Sequence, residues 1–220
     1  CAGVSSLVMA TTTVARGSSG AGSRAKRPAP FPVEFYRSAL GKKYVMAITG
    51  IMLMGFVFAH MVGNLKMYLG PEDFDHYGEF LRELLVPILP RTVALWGLRL
   101  GLIAAFALHI HSAYSLTIIN KKARTTKYQS PRDYVAVTFA SRTMRYTGVI
   151  FAIFLVWHLF DLTFTGTGYH YVRGHAYANV DNSLSRIPVA LLYIVGNIAL
   201  GIHLFHGAWS LFQSMGWNNP

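Results

Sequence analysis

The chain of 220 residues contains one cysteine, Cys1, and few charges, which make up 13% of it. A single thiol excludes a disulfide framework, a Cys-x-x-Cys-His attachment for covalent haem, and the set of thiolates that an iron–sulfur cluster requires. Nothing in the chain resembles a glycine-rich nucleotide loop either, so a flavin or dinucleotide held by this chain is not expected. Among the charges the acids are the scarcer: nine Asp and Glu stand against twenty Lys and Arg, a formal net charge of +11. That surplus would suit nucleic acid if it were spread over a surface. Instead it concentrates before the first long apolar run and between the second and third, where a membrane topology signal places it, so no nucleic-acid partner is expected. With 53% hydrophobic residues and a mean hydropathy of +0.36, the composition is that of a polytopic membrane protein.

The long apolar runs are what the chain does have. From Ile187 to Trp217 there is no acidic or basic residue, and a bilayer core takes about 20 apolar residues to cross. Three more such runs precede it. The expected fold is an all-α, four-span helix bundle with spans at about 44–65, 92–119, 144–165 and 187–215. Residues 1–35, rich in Ala, Ser, Thr and Gly and holding Arg24, Lys26 and Arg27, read as a flexible cytoplasmic arm ahead of a bundle over 36–220. Between the first two spans, Phe80, Leu81, Leu84 and Leu85 suggest a short amphipathic surface helix ended by Pro87 and Pro90, and Gly166 to Arg186 reads as a polar, aromatic outer loop. Arg37, Lys42 and Lys43 precede the first span. Lys121, Lys122, Arg124, Lys127, Arg132, Arg142 and Arg145 face only Asp133 after the second, which puts the amino terminus inside.

Each span carries a histidine past its midpoint: His60, His109 or His111, His158 and His203. Because successive spans run in opposite directions, His60 and His158 fall towards the outer face, and His203 with the span-two histidine towards the inner face. At about 1.5 Å per residue the two levels are roughly 15 to 20 Å apart. A lone membrane histidine is a packing or proton-handling residue as often as a ligand. Four divided into two pairs point to bis-histidine haem, whose iron has no open position and therefore passes single electrons. A proton relay would want acidic neighbours, which spans one, two and four lack, and a zinc site would gather three or four ligands at one depth.

In span two, His109 and His111 point to nearly opposite faces. His109, with Gly101, Ala105, Ser112 and Ala113 around it, is preferred, and His111 stays the alternative. Around His203, the residues Gly196, Ala199, Gly207, Ser210 and Ser214 form a small-residue groove, wide enough for a flat macrocycle or for close approach of another helix. His206, one turn on, would reach a ring substituent. Arg99, inside span two, would snorkel outward or pair with an acid such as a haem propionate. His76, His170 and His175 read as ordinary loop residues.

Several phrases together resemble one family. They are Ser38 with Gly41-Lys42-Lys43, Ala47-Ile48-Thr49-Gly50 and His60-Met61-Val62-Gly63-Asn64; Leu108-His109-Ile110 with Leu116-Thr117 and Asn120 to Arg124; Ser141-Arg142-Thr143-Met144-Arg145 with Thr147-Gly148 and His158; and His203-Leu204-Phe205-His206-Gly207 with Gln213 to Trp217. From about residue 35 onward the chain resembles the cytochrome b membrane anchor of succinate dehydrogenases and fumarate reductases, in the single-subunit form with two haems.

The resemblance implies two haems b, ligated by His60 and His158 on the outer side and His109 and His203 on the inner side. It implies docking of an iron–sulfur subunit and a flavoprotein subunit on the cytoplasmic face of a bacterial inner membrane, and electron passage between succinate and a quinone, with menaquinone expected. Quinone candidates are the outer segment with Glu79 and Arg82 and the inner edge at Ser38 and Lys42. The family has a fifth span; the sequence ends at Asn219-Pro220, so that helix is expected from a longer chain or a small additional membrane subunit. The rival readings are a cytochrome b of another respiratory oxidoreductase, such as a hydrogenase or formate dehydrogenase, and a haem-free membrane scaffold or transporter.

Overall fold

A computed structural model describes residues 30–123 and 135–216, apart from the side chains of 135–142. The expected arm, with Arg24, Lys26 and Arg27, lies outside the described residues, as do Arg124, Lys127, Arg132, Asp133, the side chain of Arg142, and residues 217–220.

The described residues form helices α1 (Phe31–Arg37), α2 (Ala39–Asn64), α3 (Pro71–Arg82), α4 (Val93–Lys122), α5 (Val135–Leu159), α6 (Ala176–Leu184) and α7 (Ile187–Met215). Local chemistry sets their ends. The Ser38 hydroxyl accepts from the Gly41 amide at 2.9 Å and caps α2. Glu72 and Asp73 sit in the first turn of α3, where the helix dipole favours negative charge. Helix α7 starts with a proline in its first turn and stops at Gly216, whose φ of 72° is left-handed and suits glycine. A π-helical turn, Phe160–Phe164, follows α5.

Four helical segments, Ala39–Leu69, Val93–Lys122, Thr143–Phe164 and Ile187–Met215, are long and apolar enough to cross a membrane. Ile48, Phe58, Leu100, Ile153, Ile198 and Phe205 are each more than half exposed on their outward faces, an arrangement that costs hydrophobic free energy in water and none among lipid tails. Packing pairs α2 with α4 and α5 with α7, and α2 against α7 joins the halves. The seams are built on small residues: Ala47, Ala105 and Ala199 are all buried.

Three short elements differ from expectation. Helix α1 begins at Phe31, so the boundary expected at 35/36 falls inside a helix. It is held by a Phe31–Phe35–Tyr44 aromatic row and by the Lys42 ammonium, which donates to the Tyr36 and Arg37 carbonyls at 3.2 and 2.9 Å. Helix α3 ends at Arg82, before Leu84 and Leu85. Within the expected outer loop lies α6, tied down where the Asn179 amide accepts from the Val172 amide at 3.0 Å and donates to the Val172 carbonyl at 2.7 Å. Helices α3 and α6 pack together, the Tyr177 amide donating to Asp75 at 2.9 Å, and cap the end of the bundle opposite Arg37, Lys42, Lys121 and Lys122.

Candidate functional site: two pairs of membrane histidines

The antiparallel spans bring the histidines together in twos. His60 of α2 meets His158 of α5 with ring centres 5.9 Å apart and planes at 80°, and His109 of α4 meets His203 of α7 at 6.4 Å and 71°. The His109 ring lies beside Gly50, and His60 is ten residues further along the same helix. At 1.5 Å per residue the two pairs are therefore about 15 Å apart along the bundle.

Each half of the bundle holds the neighbouring pair with the same device. In α2, Met46-x-x-Thr49-Gly50 precedes His60, and in α5, Met144-x-x-Thr147-Gly148 precedes His158 at identical spacing. The threonine hydroxyls turn back onto their own helix, Thr49 donating to the Val45 carbonyl at 2.7 Å and Thr147 to Thr143 at 2.9 Å. The glycines leave room for imidazole: a Cβ at Gly50 would stand 3.5 Å from His109 Cε1, and one at Gly148 3.3 Å from His203 Cε1. The Met46 and Met144 carbonyls face Nδ1 of His109 and His203 at 3.2 and 3.3 Å. A carbonyl only accepts, so Nδ1 carries the proton and Nε2 keeps its lone pair for a ligand.

Two imidazoles sharing one metal through bonds of about 2.0 Å place their ring centres roughly 6 Å apart. Both pairs meet that distance, with the tautomer of the second fixed for ligation. Beside His158, the indole nitrogen of Trp157 is buried and has no hydrogen-bond partner among the described residues, a donor open to an acceptor on a bound group. Among those residues no three His, Cys, Asp or Glu side chains gather as a metal-binding group. The residues present fit bis-histidine haem at two depths.

In span two the structure pairs His109, not His111, with His203. His111 turns to α1, where Nδ1 meets the Tyr36 hydroxyl at 2.5 Å and the rings stack at 5.8 Å. The remaining candidates fall in varied settings. Gly196 serves helix approach, since a Cβ there would lie 2.4 Å from the Phe154 ring, whereas at Gly207 it would meet nothing within 4 Å. His206 stands edge-on to Phe205 at 5.3 Å. Arg99 lies over the Trp96 ring at 5.1 Å, with no carboxylate of a described residue within ion-pair distance. Of the quinone candidates, Ser38 is engaged as a helix cap, Lys42 on the end of α1, and Glu79 between Arg82 and Arg91.

One cluster was not anticipated. Asp161, in the π-helical turn, is fully buried and accepts from the hydroxyls of Ser183, Thr167 and Tyr193 and from the Arg186 guanidinium at 3.0 Å. The Tyr169 hydroxyl donates to the Asp161 carbonyl at 2.7 Å. Burial, then the Asp161 charge, pushes that hydroxyl's pKa up to about 12. An acid three residues beyond a span histidine, with an Arg heading the next span, is the only sequence sign of this cluster.

The glycine device predicts the effect of crowding it. Gly148→Val adds two methyl groups beyond a Cβ already tight against His203, so a haem held between His109 and His203, if that pair binds one, should be lost. Gly50→Ala, in ordinary contact, should keep it. Haem per chain by pyridine extraction checks both. In comparisons with known proteins, no family model, no curated protein and no solved structure matches this chain.

Proposed function

We propose that the chain is the membrane anchor and electron-transfer subunit of a succinate:quinone oxidoreductase, binding one haem b between His60 and His158 and another between His109 and His203. The observation that carries this reading is the geometry of the histidines: two pairs at two depths, each joining different helices at the separation a shared metal requires. When bound, bis-histidine haem supplies one-electron transfer without an open coordination site. The chain's own residues hold and tune that chemistry. The Met46 and Met144 carbonyls fix the imidazole tautomer, Gly50 and Gly148 admit the rings, and the lipid-facing apolar shell keeps water and its dielectric away from the pairs.

The basic end of the bundle, with Arg37, Lys43, Lys121 and Lys122, is the cytoplasmic docking face for an iron–sulfur subunit carrying a flavoprotein, in a bacterial inner membrane with the amino terminus inside. Electrons then move between that face and a quinone of the menaquinone type, through the inner pair and the outer pair in turn.

Purification of the chain from its native membrane in mild detergent tests the assignment. A flavin-containing and an iron–sulfur subunit should accompany it, with b-type absorbance reducible by succinate. Partners of hydrogenase or formate-dehydrogenase chemistry, or haem reducible only by hydrogen or formate, would overturn it.

A further inference from the structure

The four histidines do not share one set of supporting contacts. His109 and His203 rest Nδ1 on backbone carbonyls, which are neutral acceptors. His158 instead has its Nδ1 3.4 Å from the Tyr193 hydroxyl, and that hydroxyl donates its own proton to Asp161 Oδ2 at 3.1 Å. With its proton committed to the carboxylate, Tyr193 presents only lone pairs to the imidazole. The direction is thus set along the chain: His158 Nδ1–H to Tyr193, Tyr193 to Asp161.

The carboxylate is fully buried, and Ser183, also fully buried, and Thr167 hold its remaining lone pairs while Arg186 balances its charge. Such a fixed acceptor would be costly to build for packing alone. The corresponding position of α4, ten residues before His109, is Arg99 rather than a tyrosine, so the relay is specific to one half of the bundle.

We infer that Tyr193 and Asp161 are positioning residues for His158, and that their relay makes this imidazole a more electron-donating ligand than it would be without the Tyr193 hydroxyl. The inference rests on the haem assignment above. A hydrogen bond to a carboxylate-anchored acceptor draws the Nδ1 proton outward, which raises the basicity of Nε2 and favours ferric iron. Backbone carbonyls at the inner pair do this less. No bond is made or broken in the relay.

The test is potentiometric titration of Tyr193→Phe in the complete detergent-purified complex, with the outer signal defined as the one lost in His60→Ala. Removing the hydroxyl should raise the ratio of reduced to oxidised outer haem at a fixed potential by about tenfold, equivalent to about 59 mV for one electron. The inner haem should not move. The low-spin electron paramagnetic resonance signal of the outer haem alone should also change, because the hydrogen-bond partner that helps fix the His158 plane is then gone. Should Tyr193→Phe lose the outer haem, Asp161→Asn, which keeps every hydroxyl, decides by the same shift. Both haems retained with unaltered potentials, or both shifted equally, would overturn the inference; a wild-type complex without haem would overturn the haem assignment instead.

Discussion

His203→Ala is expected to lower haem content from two per chain to one and to cut succinate-driven quinone reduction by at least about tenfold. The inner pair loses one imidazole, and His109, held on Met46, has no other described histidine opposite it. The outer pair stands about 15 Å away along the helices, on residues of α2 and α5 that do not touch the substitution, and should keep its haem. His111→Ala is the matched control. That ring is spent on Tyr36, so its loss should cost about 1 kcal/mol of stability and no haem. Pyridine extraction and the reduced-minus-oxidised spectrum read both variants. Retention of both haems in His203→Ala would contradict the His109–His203 site, and loss of one in His111→Ala would reverse the assignment within span two.

Arg186→Met is expected to destabilise the bundle by about 3 kcal/mol, because it leaves the Asp161 carboxylate buried without its cation. The side chain of Asp161 is 0% exposed and that of Arg186 27%, so solvent cannot replace the missing charge at the carboxylate. Pairing Arg186→Met with Asp161→Asn should recover most of the loss, since hydroxyl donors and a neutral amide satisfy one another without a counter-ion. Denaturant titration of the purified complex, followed by helix signal and haem absorbance, measures the cycle. Equal destabilisation by the single and double variants would show that Arg186 acts through its stacking on Tyr169, at 5.0 Å, and its hydrogen bonds to the Thr167 and Ser183 carbonyls, and not through the Asp161 charge.

The four spans were legible because each is a long run with few or no charges, a signal that needs no tertiary information. The pairing of His60 with His158 was legible too, from direction of travel alone. The choice between His109 and His111 was not settled by sequence: it is made by the Met46 carbonyl and the Thr49-Gly50 step of α2 on one side and Tyr36 of α1 on the other, which lie far away in the chain. Helices α1 and α6 are too short to show a hydrophobic period and depend on side-chain contacts such as Lys42 on the Arg37 carbonyl and Asn179 on Val172. Gly196 illustrates a half-right reading. Its smallness was visible, but only the structure shows that Phe154 fills the space. Asp161 stands visibly at the exit of span three, but its cluster is not legible in the sequence, since its partners come from the Thr167 loop, α6, Arg186 and α7.

Whether the two histidine pairs hold haem is decided by the visible spectrum of the detergent-purified complex, dithionite-reduced minus oxidised, with haem quantified per chain by pyridine extraction. Two low-spin haems b per chain is the predicted result. A complex with no haem would contradict it and leave the paired histidines as packing residues of a membrane scaffold.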